Sequence, residues 1–317
     1  MTSENESRAV WCSPGLDVGD WAGSLPSPVS GAAYSLRMAH AWVNGRLVEP
    51  GEPSVAVADH GLVVGDGVFE ATKVVDGKPF AVRRHLARMD RSLAGFGLPP
   101  ADHGLIREGI AAVLEQDPGM PFGKLRWWVT AGVGPFGSDR GGPVGALSYH
   151  VAADRATPWG PTTTVHVVPW TRNERAATAG IKTTSYADNV LALAAAHQAG
   201  ASEAIFGNTR GELCEGTGSN IGVVIDGQAL TPPLSSGALA GITRELLLHW
   251  SAESDTPVRE QSLPLEVLQR ADEVFLTNSS RDVHPVVGVD SRALPVGPIT
   301  EALRRLWGER AGESADP

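Results

Sequence analysis

Alternating apolar and polar positions, interrupted by turn residues, predict a sheet in the first half of the chain. Six short segments are rich in apolar and β-branched residues and predict strands: residues 41–43, 46–48, 68–75, 80–82, 125–130 and 147–152. The dipeptides Asn44-Gly45 and Asp76-Gly77 separate the first two pairs, and both suit the left-handed conformations of a tight hairpin turn. We therefore expect two hairpins in this sheet.

Helical spacing of apolar residues predicts helices in the same half. Such residues recur every three or four positions in two places: Leu86, Met89 and Leu93, and Leu105, Ile110, Val113 and Leu114. The second half predicts strands over residues 163–168, 203–206 and 220–225 and helices over residues 189–198 and 242–251. The pattern therefore predicts a mixed α+β and α/β protein.

Composition along the chain predicts two lobes joined by a linker. Residues 1–38 are rich in Ser, Gly and Pro without a period, which predicts a poorly ordered N-terminal arm. Residues 158–162 contain two prolines and a glycine and fit neither helix nor sheet. We expect a smaller α+β lobe over residues 39–157, a larger lobe over residues 163–308 and a tail over residues 309–317.

Overall composition and charge narrow the class of protein. A hydrophobic share of 42% and a charged share of 20% are typical of a soluble globular chain. The apolar runs fall short of the ~20 residues that a membrane-spanning helix needs, and residues 1–6 show no secretory signal. We therefore expect a cytoplasmic protein without a membrane partner. A net charge of −10 without a basic cluster argues against a nucleic-acid partner.

Some motif-like features favour structural roles. Residues 132–137 fit the glycine-rich pattern of dinucleotide-binding folds, but residues 138–143 cannot easily open the helix that this pattern requires, so we predict a loop. The nine histidines show no metal-ligand spacing, which argues against a metal site. Cys12 and Cys214 are too few for a disulfide framework and predict free thiols. His85 is expected to pack its helix.

Lysine chemistry has only four candidates in this chain. Lys73 and Lys78 flank a hairpin turn and Lys124 opens a strand, so we expect these three to be solvated. Lys182 lies within residues 179–186, which are small or hydroxyl-bearing for the most part, and burial there would lower its pKa and free the amine for imine chemistry. From the residues alone, a surface lysine and a reactive buried lysine are equal alternatives.

Several ordered motifs together resemble the class IV aminotransferase signature. These motifs are residues 65–70, 85–88, 212–221, 231–233 and 239–244, within a resemblance that spans about residues 41–290. Two positions depart from the signature, since Gly222 replaces an aromatic residue and Ala229 a larger aliphatic one. These departures concern local packing and not the chemistry. The resemblance implies a two-lobed fold type IV enzyme, similar to D-amino-acid aminotransferase, that uses pyridoxal 5'-phosphate (PLP).

The resemblance also implies which residues carry the reactive end of the cofactor. The matching lysine in similar enzymes holds PLP covalently and shuttles a proton, and Lys182 takes this role. Glu215 matches the carboxylate that faces the pyridine nitrogen and keeps it protonated. Without the resemblance, Glu215 would be interpreted as a surface carboxylate.

The remaining cofactor contacts are implied in the same way. Arg88 matches the phosphate-binding arginine, and Ile242 and Thr243 open a helix whose free amides meet the phosphate. Tyr186 matches the residue near the phenolic oxygen, and Thr217 completes the implied cofactor-binding set. From the residues alone, Thr243 would be a helix cap and Tyr186 an ordinary core tyrosine.

The reaction is a separate question, because similar enzymes include branched-chain, D-amino-acid and R-amine transaminases and 4-amino-4-deoxychorismate lyases. Asn278-Ser279 resembles the lyases, and the segment that ends at Thr72 lacks the Gly-Ile-Arg of the branched-chain enzymes. Residues 231–233 and 241–244 look at least as similar to the transaminases. We favour the lyase, which would release pyruvate and 4-aminobenzoate for folate supply. An amino-acid transaminase and a non-catalytic PLP-binding scaffold are the alternatives.

The small amino substrate of such a lyase carries two carboxylates, so an arginine beyond Arg88 should line the pocket. Five residues are predicted near the substrate: Arg126, Arg140 and Arg281 as carboxylate-binding candidates that the sequence does not rank, and Thr72 and Asn278 as polar contacts. The resemblance further implies a homodimer with the site between the two lobes.

Overall fold

The computed structural model describes residues 40–49 and 52–317, so the predicted N-terminal arm and Cys12 lie outside the described residues. The described residues belong to one compact unit. None of their helices combines the length with the apolar character that crossing a membrane requires. The same residues contain no cluster of His, Cys, Asp or Glu side chains with the arrangement of a metal site.

The first sheet is formed by the first half of the chain. Its six strands are β1 (His40–Val43), β2 (Arg46–Val48), β3 (Gly67–Val75), β4 (Lys78–Pro79), β5 (Phe122–Thr130) and β6 (Ser148–Arg155). They lie in the order β2-β1-β6-β5-β3-β4, and each neighbouring pair is antiparallel. The helices of this part are α1 (His60–Val63), α2 (Val82–Gly95) and α3 (His103–Leu114).

Alternation along β5 determines which face of the first sheet is covered. Leu125 and Trp127 are fully buried, whereas Lys124 and Arg126 are exposed, because successive side chains of a strand point to opposite faces. The buried side chains form one apolar cluster with Leu86 and the other core residues of α2 and α3. The charged side chains of β5 are therefore free to line a cavity on the other face.

The second sheet is formed by the second half of the chain. Its strands are β7 (Thr163–Arg172), β8 (Glu203–Asn208), β9 (Leu213–Gly216), β10 (Asn220–Ile225), β11 (Gln228–Thr231), β12 (Val258–Glu260), β13 (Glu273–Asn278), β14 (Asp282–Val289) and β15 (Arg292–Ala293). They follow the order β12-β11-β10-β13-β14-β7-β8-β9, and β15 pairs with β14. Pairs β11–β12, β14–β7 and β7–β8 are parallel, and the other pairs are antiparallel.

Helices cover this second sheet. They are α4 (Ala187–Gln198), α5 (Ile242–Ser251) and α6 (Pro298–Glu313), with short 3-10 turns at Leu234–Ser236 and Leu265–Gln269. The buried alanines Ala192 and Ala196 of α4 pack with Phe206 of β8. Buried residues of α5 and α6 pack with Phe275 of β13.

The two departures from the aminotransferase signature fall within this packed region. Gly222 on β10 lies directly opposite Phe275 on β13, and a Cβ added to Gly222 would collide with the Phe275 ring. Ala229 is buried in the same apolar cluster as Phe275. The Phe275 ring therefore occupies the space that an aromatic side chain at position 222 would need.

Paired backbone joins the two sheets at one place. The Phe69 amide donates to the Lys182 carbonyl oxygen at 2.9 Å, and the Thr184 amide donates to the Gly67 carbonyl oxygen at 2.9 Å. Residues 182–184 thus pair in an antiparallel manner with the start of β3. This pairing fixes the backbone of Lys182 against the first sheet.

A partly buried ion pair joins the sheets at a second place. The Lys73 ammonium binds both oxygens of the Asp282 carboxylate at 2.6 and 2.7 Å, and the Lys73 amide donates to the Ser279 carbonyl oxygen at 3.2 Å. Only 8% of Lys73 is exposed, so the prediction that this lysine is solvated is wrong. Lys78 and Lys124 are exposed as predicted.

Other predicted elements are confirmed where the local signals were strong. Strand β10 and helix α5 have the predicted bounds. Both hairpin turns have left-handed backbone, with φ of 47° at Asn44, 97° at Gly45, 48° at Asp76 and 72° at Gly77. The glycine-rich residues 132–137 lie in a loop without a helix, as predicted.

The strand predicted at residues 80–82 is wrong. Strand β4 ends at Pro79, and Ala81 adopts a left-handed φ of 55° and precedes the first residue of α2, Val82. Helix α6 continues into the expected tail and ends at Glu313. The boundaries of the lobes themselves stay a prediction, because the described residues form one unit.

We expect the substitution Asp282→Asn to lower the free energy of unfolding by about 1–3 kcal/mol. Breaking an ion pair between two fully buried groups costs more than this. The cost is smaller here because the Asp282 side chain is 33% exposed. Asn tolerates the left-handed φ of 58° at this position. The matched control is Asp226→Asn, at φ 49° in a hairpin turn, which should leave the urea unfolding midpoint unchanged. Equal midpoints for the two variants would contradict this role of the pair.

Candidate active site

A cavity of about 480 Å³ lies where residues of both sheets meet. The first sheet provides β3 and β5 residues, and the second part of the chain provides residues 171–188, the loop after β9, the start of α5 and the turn between β13 and β14. Most residues that the sequence assigns to the cofactor or the substrate line this cavity: Thr72, Arg88, Arg126, Lys182, Tyr186, Glu215, Thr217, Ile242 and Asn278.

Lys182 is half-buried in this cavity. Its amine lies 4.4 Å from the centroid of the Phe69 ring, and its backbone amide donates to the Ser92 hydroxyl at 3.3 Å. Burial lowers the pKa of Lys182 to about 8, and Arg88 acts in the same direction while the nearby carboxylates oppose it. A substantial fraction of this amine is therefore neutral near neutral pH and available as a nucleophile.

Glu215 presents a carboxylate to the same cavity. One oxygen accepts a hydrogen bond from the Leu239 amide at 2.9 Å, and the other lies 3.4 Å from Nε of Arg172. Burial raises the pKa of Glu215, and the charge of Arg172 opposes this shift. Sequence analysis missed Arg172, which is the last residue of β7 and has no motif of its own around it.

Arg88 is held by a buried carboxylate. Its Nε binds Glu70 at 2.8 Å, its Nη2 binds the other oxygen of Glu70, and its Nη1 donates to the Ala240 carbonyl oxygen at 3.0 Å. Burial alone would raise the pKa of Glu70, but Arg88 and His85 lower it to about 2. Three of the five N–H groups of Arg88 are used in this way, so two are left for an anion in the cavity.

His85 connects this ion pair to the opposite wall. Its Nδ1 lies 2.6 Å from a Glu70 oxygen, and its Nε2 lies 3.3 Å from the Ser279 hydroxyl. His85 is fully buried, as expected for a residue that packs its helix, and burial lowers its pKa. Sequence analysis missed the pairing with Glu70. The two residues belong to separate motifs, and neither motif indicates that their side chains are in contact.

The start of α5 adds free backbone amides to the cavity. Gly241 precedes the helix without a side-chain cap, and both Gly241 and Ile242 line the cavity. The first amides of a helix have no partner inside the helix and attract anions. Thr243 is buried but does not line the cavity, because successive helix positions are rotated by about 100°.

Tyr186 and Thr217 form a second wall. The Tyr186 hydroxyl donates to the Thr217 carbonyl oxygen at 3.2 Å, and burial together with Glu215 raises the pKa of Tyr186 to about 12. The Thr217 hydroxyl binds the buried carboxylate of Glu203, which also accepts from the Ser219 hydroxyl at 2.9 Å. Glu203 thus stabilises the loop after β9, although it does not line the cavity itself.

Arg126 is the predicted carboxylate-binding arginine that lines the cavity. Its guanidinium lies 3.9 Å from the centroid of the Phe69 ring, so Arg126 and Lys182 contact the same ring. Partial burial lowers the pKa of Arg126, although a guanidinium stays charged at neutral pH. No carboxylate among the described residues lies within ion-pair distance of this side chain.

The other two arginine candidates are not part of the cavity. Arg140 binds both oxygens of Asp66 at 2.7 and 2.6 Å. Arg281 is buried, donates to Ser202 and lies 3.6 Å from Glu203. The structure does not bring these two arginines to the cavity with the other predicted residues, because each already has a carboxylate partner and neither lines the cavity.

Thr72 and Asn278 line the cavity, but their side chains are used for the structure. The Thr72 hydroxyl donates to the Phe80 carbonyl oxygen at 2.8 Å. The Asn278 amide group donates to Gly218 and Ser219, and its oxygen accepts from the Arg281 amide at 2.7 Å. Asn278 therefore shapes the turn after β13, and the neighbouring Ser279 and Ser280 also line the cavity.

The assembled groups fit PLP. Lys182 offers a partly neutral amine for the aldehyde, and Glu215 offers a carboxylate for the pyridine nitrogen. The two remaining N–H groups of Arg88 and the amides at the start of α5 suit a phosphate. When bound, PLP supplies an electron sink for a carbanion at the substrate.

Comparisons with known proteins agree with this arrangement. The family model described as amino-transferase class IV matches residues 67–289. A putative branched-chain-amino-acid aminotransferase of Methanocaldococcus jannaschii is 32% identical over 84% of this chain and 94% of its own length. A D-alanine aminotransferase of Staphylococcus haemolyticus is also 32% identical, over 84% of this chain and 96% of its own length.

A solved structure shares the whole architecture. A hypothetical aminotransferase from Mycobacterium tuberculosis, in its PLP-bound form, superposes with a TM-score of 0.76. It is 25% identical and covers 88% of this chain and 100% of its own.

We expect the rate at which the cofactor-free protein attaches PLP to Lys182 to rise with pH up to about 8 and then to level off. The neutral amine is the attacking form, and the pKa of Lys182 is lowered to about 8, so most of the rise is complete near that pH. Borohydride reduction followed by peptide mass spectrometry measures the attached fraction. The variant Lys182→Gln should attach none, and Lys78→Gln is the control for an exposed lysine. A rate that still rises at about pH 10, as for an ordinary lysine, would contradict the lowered pKa.

We expect Arg88→Lys to weaken PLP binding about tenfold or more. Lysine keeps the positive charge opposite Glu70 but cannot form the fork of donors, and a lost charge-assisted phosphate contact costs about 1.5–3 kcal/mol. Arg84→Lys is the matched control in the same helix, because Arg84 binds Glu245 and does not line the cavity. The apparent dissociation constant of PLP, from titration of cofactor-free protein, is the measurement. Unchanged affinity in Arg88→Lys would place the phosphate elsewhere.

Proposed function

Because this chain belongs to the class IV aminotransferases, a family of PLP-dependent enzymes, we propose that it is a 4-amino-4-deoxychorismate lyase. The proposed reaction converts the substrate into 4-aminobenzoate and pyruvate without a second substrate. The observation that carries this proposal is Arg126, a cation that lines the cavity with no carboxylate partner in the described part of the chain. Such a group suits a substrate that brings its own carboxylate.

Two residues of the chain move or hold protons in the proposed reaction. The pKa of Lys182, about 8, lets its amine be either neutral or charged near neutral pH, so it can take the proton from the ring carbon that bears the amino group and give it to the pyruvate unit, which leaves as the C–O bond on the neighbouring ring carbon breaks. Glu215 holds a proton at the pyridine nitrogen. Arg172 supports this role because its guanidinium favours the ionised form of Glu215.

The turn after β13 supports the lyase over the transaminases. Asn278-Ser279 resembles the lyases, and this pair lies at the cavity wall. The side-chain amide of Asn278 donates to the Ser219 hydroxyl at 3.1 Å. This contact fixes the turn that carries Ser279 to the loop after β9. A rigid wall at this place suits a cyclic substrate of defined shape.

An amino-acid transaminase is the second candidate. The named relatives at 32% identity favour it, because one is called a D-alanine aminotransferase and the other a putative branched-chain-amino-acid aminotransferase. The same cation, Arg126, would then bind the carboxylate of an amino acid. The two candidates differ in whether the amino group stays in the aromatic product or passes to a keto acid.

The proposal includes a homodimer. Large apolar side chains are exposed on α1 and on the glycine-rich loop: Leu62 is 64% exposed, Val133 68% and Phe136 77%. These two segments are adjacent, since Asp59 pairs with Val133. Exposed apolar surface of this kind supports contact with another protein surface, and a second copy of this chain is the proposed partner.

We expect the PLP-loaded enzyme to convert 4-amino-4-deoxychorismate into equal amounts of 4-aminobenzoate and pyruvate over many turnovers with no keto acid present. Elimination regenerates the starting form of the enzyme, whereas transamination stops after one turnover unless a keto acid removes the amino group. Chromatography of both products measures the ratio. The transaminase candidate stands instead if D-alanine or L-leucine transfers its amino group to 2-oxoglutarate catalytically while no 4-aminobenzoate forms.

A further inference from the structure

The cations around the cavity are held in two different ways. Arg88 binds the carboxylate of Glu70, and Arg172 lies beside the carboxylate of Glu215. A carboxylate partner offsets part of the positive charge, and the remaining donors of Arg88 suit the cofactor phosphate, so these two arginines are not left for the carboxylates of a substrate. The cavity therefore depends on other cations if it is to bind the carboxylates of a substrate.

Aromatic rings hold those other cations. Arg126 lies over the rings of Phe69 and Trp128, at 3.9 and 5.9 Å from their centroids. Lys124 lies over the ring of Trp159 at 5.2 Å. A ring orients a cation but, unlike a carboxylate, carries no net charge that would neutralise it. Arg126 and Lys124 thus keep a full positive charge.

Lys124 and Arg126 lie on the same face of β5. They are two positions apart on one strand, and both line the cavity. Lys124 is exposed and therefore lies nearer to solvent than the half-buried Lys182. The two β5 cations and the Lys182 amine therefore line one cavity, and Lys182 is the least exposed of the three residues.

The ring that orients Lys124 is itself fixed. The indole N–H of Trp159 donates to the Ser280 hydroxyl at 3.2 Å, and the Arg281 guanidinium packs on the same ring at 3.7 Å from its centroid. Ser280 belongs to the turn that lines the cavity. Trp159 thus connects the Lys124 ammonium to a turn that lines the cavity.

A carboxylate does lie near Lys124 along the sheet. Asp154 on β6 is directly opposite Lys124 in the strand register. The structure shows no ion pair between these two side chains, and Lys124 has no other carboxylate within ion-pair distance in residues 52–317. The Lys124 ammonium is directed to Trp159 and the cavity.

We propose that Lys124 determines substrate specificity by binding a second carboxylate, so that the substrate is an amine-bearing dicarboxylate held by Arg126 and Lys124 separately. This inference rests on the proposed function and deepens it, because it explains how the two carboxylates are told apart. Arg126 binds the one nearer the reacting amine. Lys124 binds the one at the entrance.

A matched pair of ligands tests the second site directly on the PLP-loaded enzyme. The two probes are 3-(carboxymethoxy)benzoate, a ring with two carboxylates, and 3-methoxybenzoate, which lacks the second one. Isothermal titration calorimetry of wild type, Lys124→Gln, Lys124→Arg and Lys78→Gln gives the dissociation constants. Lys78 is exposed on β4 and does not line the cavity, so Lys78→Gln is the control for the loss of a surface charge.

We expect Lys124→Gln to weaken binding of the dicarboxylate about five- to tenfold and to leave the monocarboxylate within about twofold. Lys124→Arg and Lys78→Gln should both stay within about twofold of wild type for either ligand. The difference between wild type and Lys124→Gln should shrink as ionic strength rises from about 10 mM to about 1 M, because screening shortens the range of the charge from about 30 to about 3 Å.

The outcomes separate this inference from the proposed function. If Lys124→Gln weakens both ligands equally, or neither, Lys124 does not bind a second carboxylate, even when the wild type releases 4-aminobenzoate. If Lys124→Gln loses only the dicarboxylate preference while no 4-aminobenzoate is ever formed, the second carboxylate site stands and the lyase activity does not. A salt-independent loss of affinity would also overturn the inference, since it indicates a change of shape and not of charge.

Discussion

The site depends on three residues of extended backbone that pair with the start of β3. Two hydrogen bonds, from Phe69 to Lys182 and from Thr184 to Gly67, tie the two halves of the chain together. The same bonds set the distance between the Lys182 amine and the Phe69 ring. Because this pairing fixes the backbone of Lys182 beside Phe69, the lysine side chain starts from a defined point at the wall of the cavity.

The positively charged side chains around this pairing fall into two groups, those that bind a carboxylate and those that lie over aromatic rings. Cations that hold structure or the cofactor are matched with carboxylates, as Arg88 is with the buried Glu70 and Lys73 with the partly exposed Asp282. The cation left for a substrate, Arg126, is supported by aromatic rings. A buried ion pair fixes geometry at the expense of available charge, whereas a ring fixes geometry and leaves the charge available.

Signals that depend on neighbours in sequence gave reliable predictions. Turn dipeptides such as Asn44-Gly45 and the apolar spacing of α5 were sufficient, and ordered motifs identified Lys182 with its fold. Interactions between distant residues were not predictable. Nothing near Lys73 in sequence indicates Asp282, 209 positions away, and nothing ranked the three candidate arginines until their carboxylate partners were known. Nor does the sequence around Ala81 indicate that its amide donates to the carbonyl oxygen of Ala315, near the other end of the described chain, at 2.7 Å.

Gly222 and Phe275 share one volume across two neighbouring strands. Judged position by position, the glycine is a loss of a family feature, but the space beside it is filled by the Phe275 ring, which enters from β13. A close-packed core requires that this volume be filled, whichever of the two strands supplies the side chain. Relatives that carry an aromatic residue on β10 should therefore carry a smaller one on β13, and a motif that samples only β10 underestimates how closely the two cores correspond.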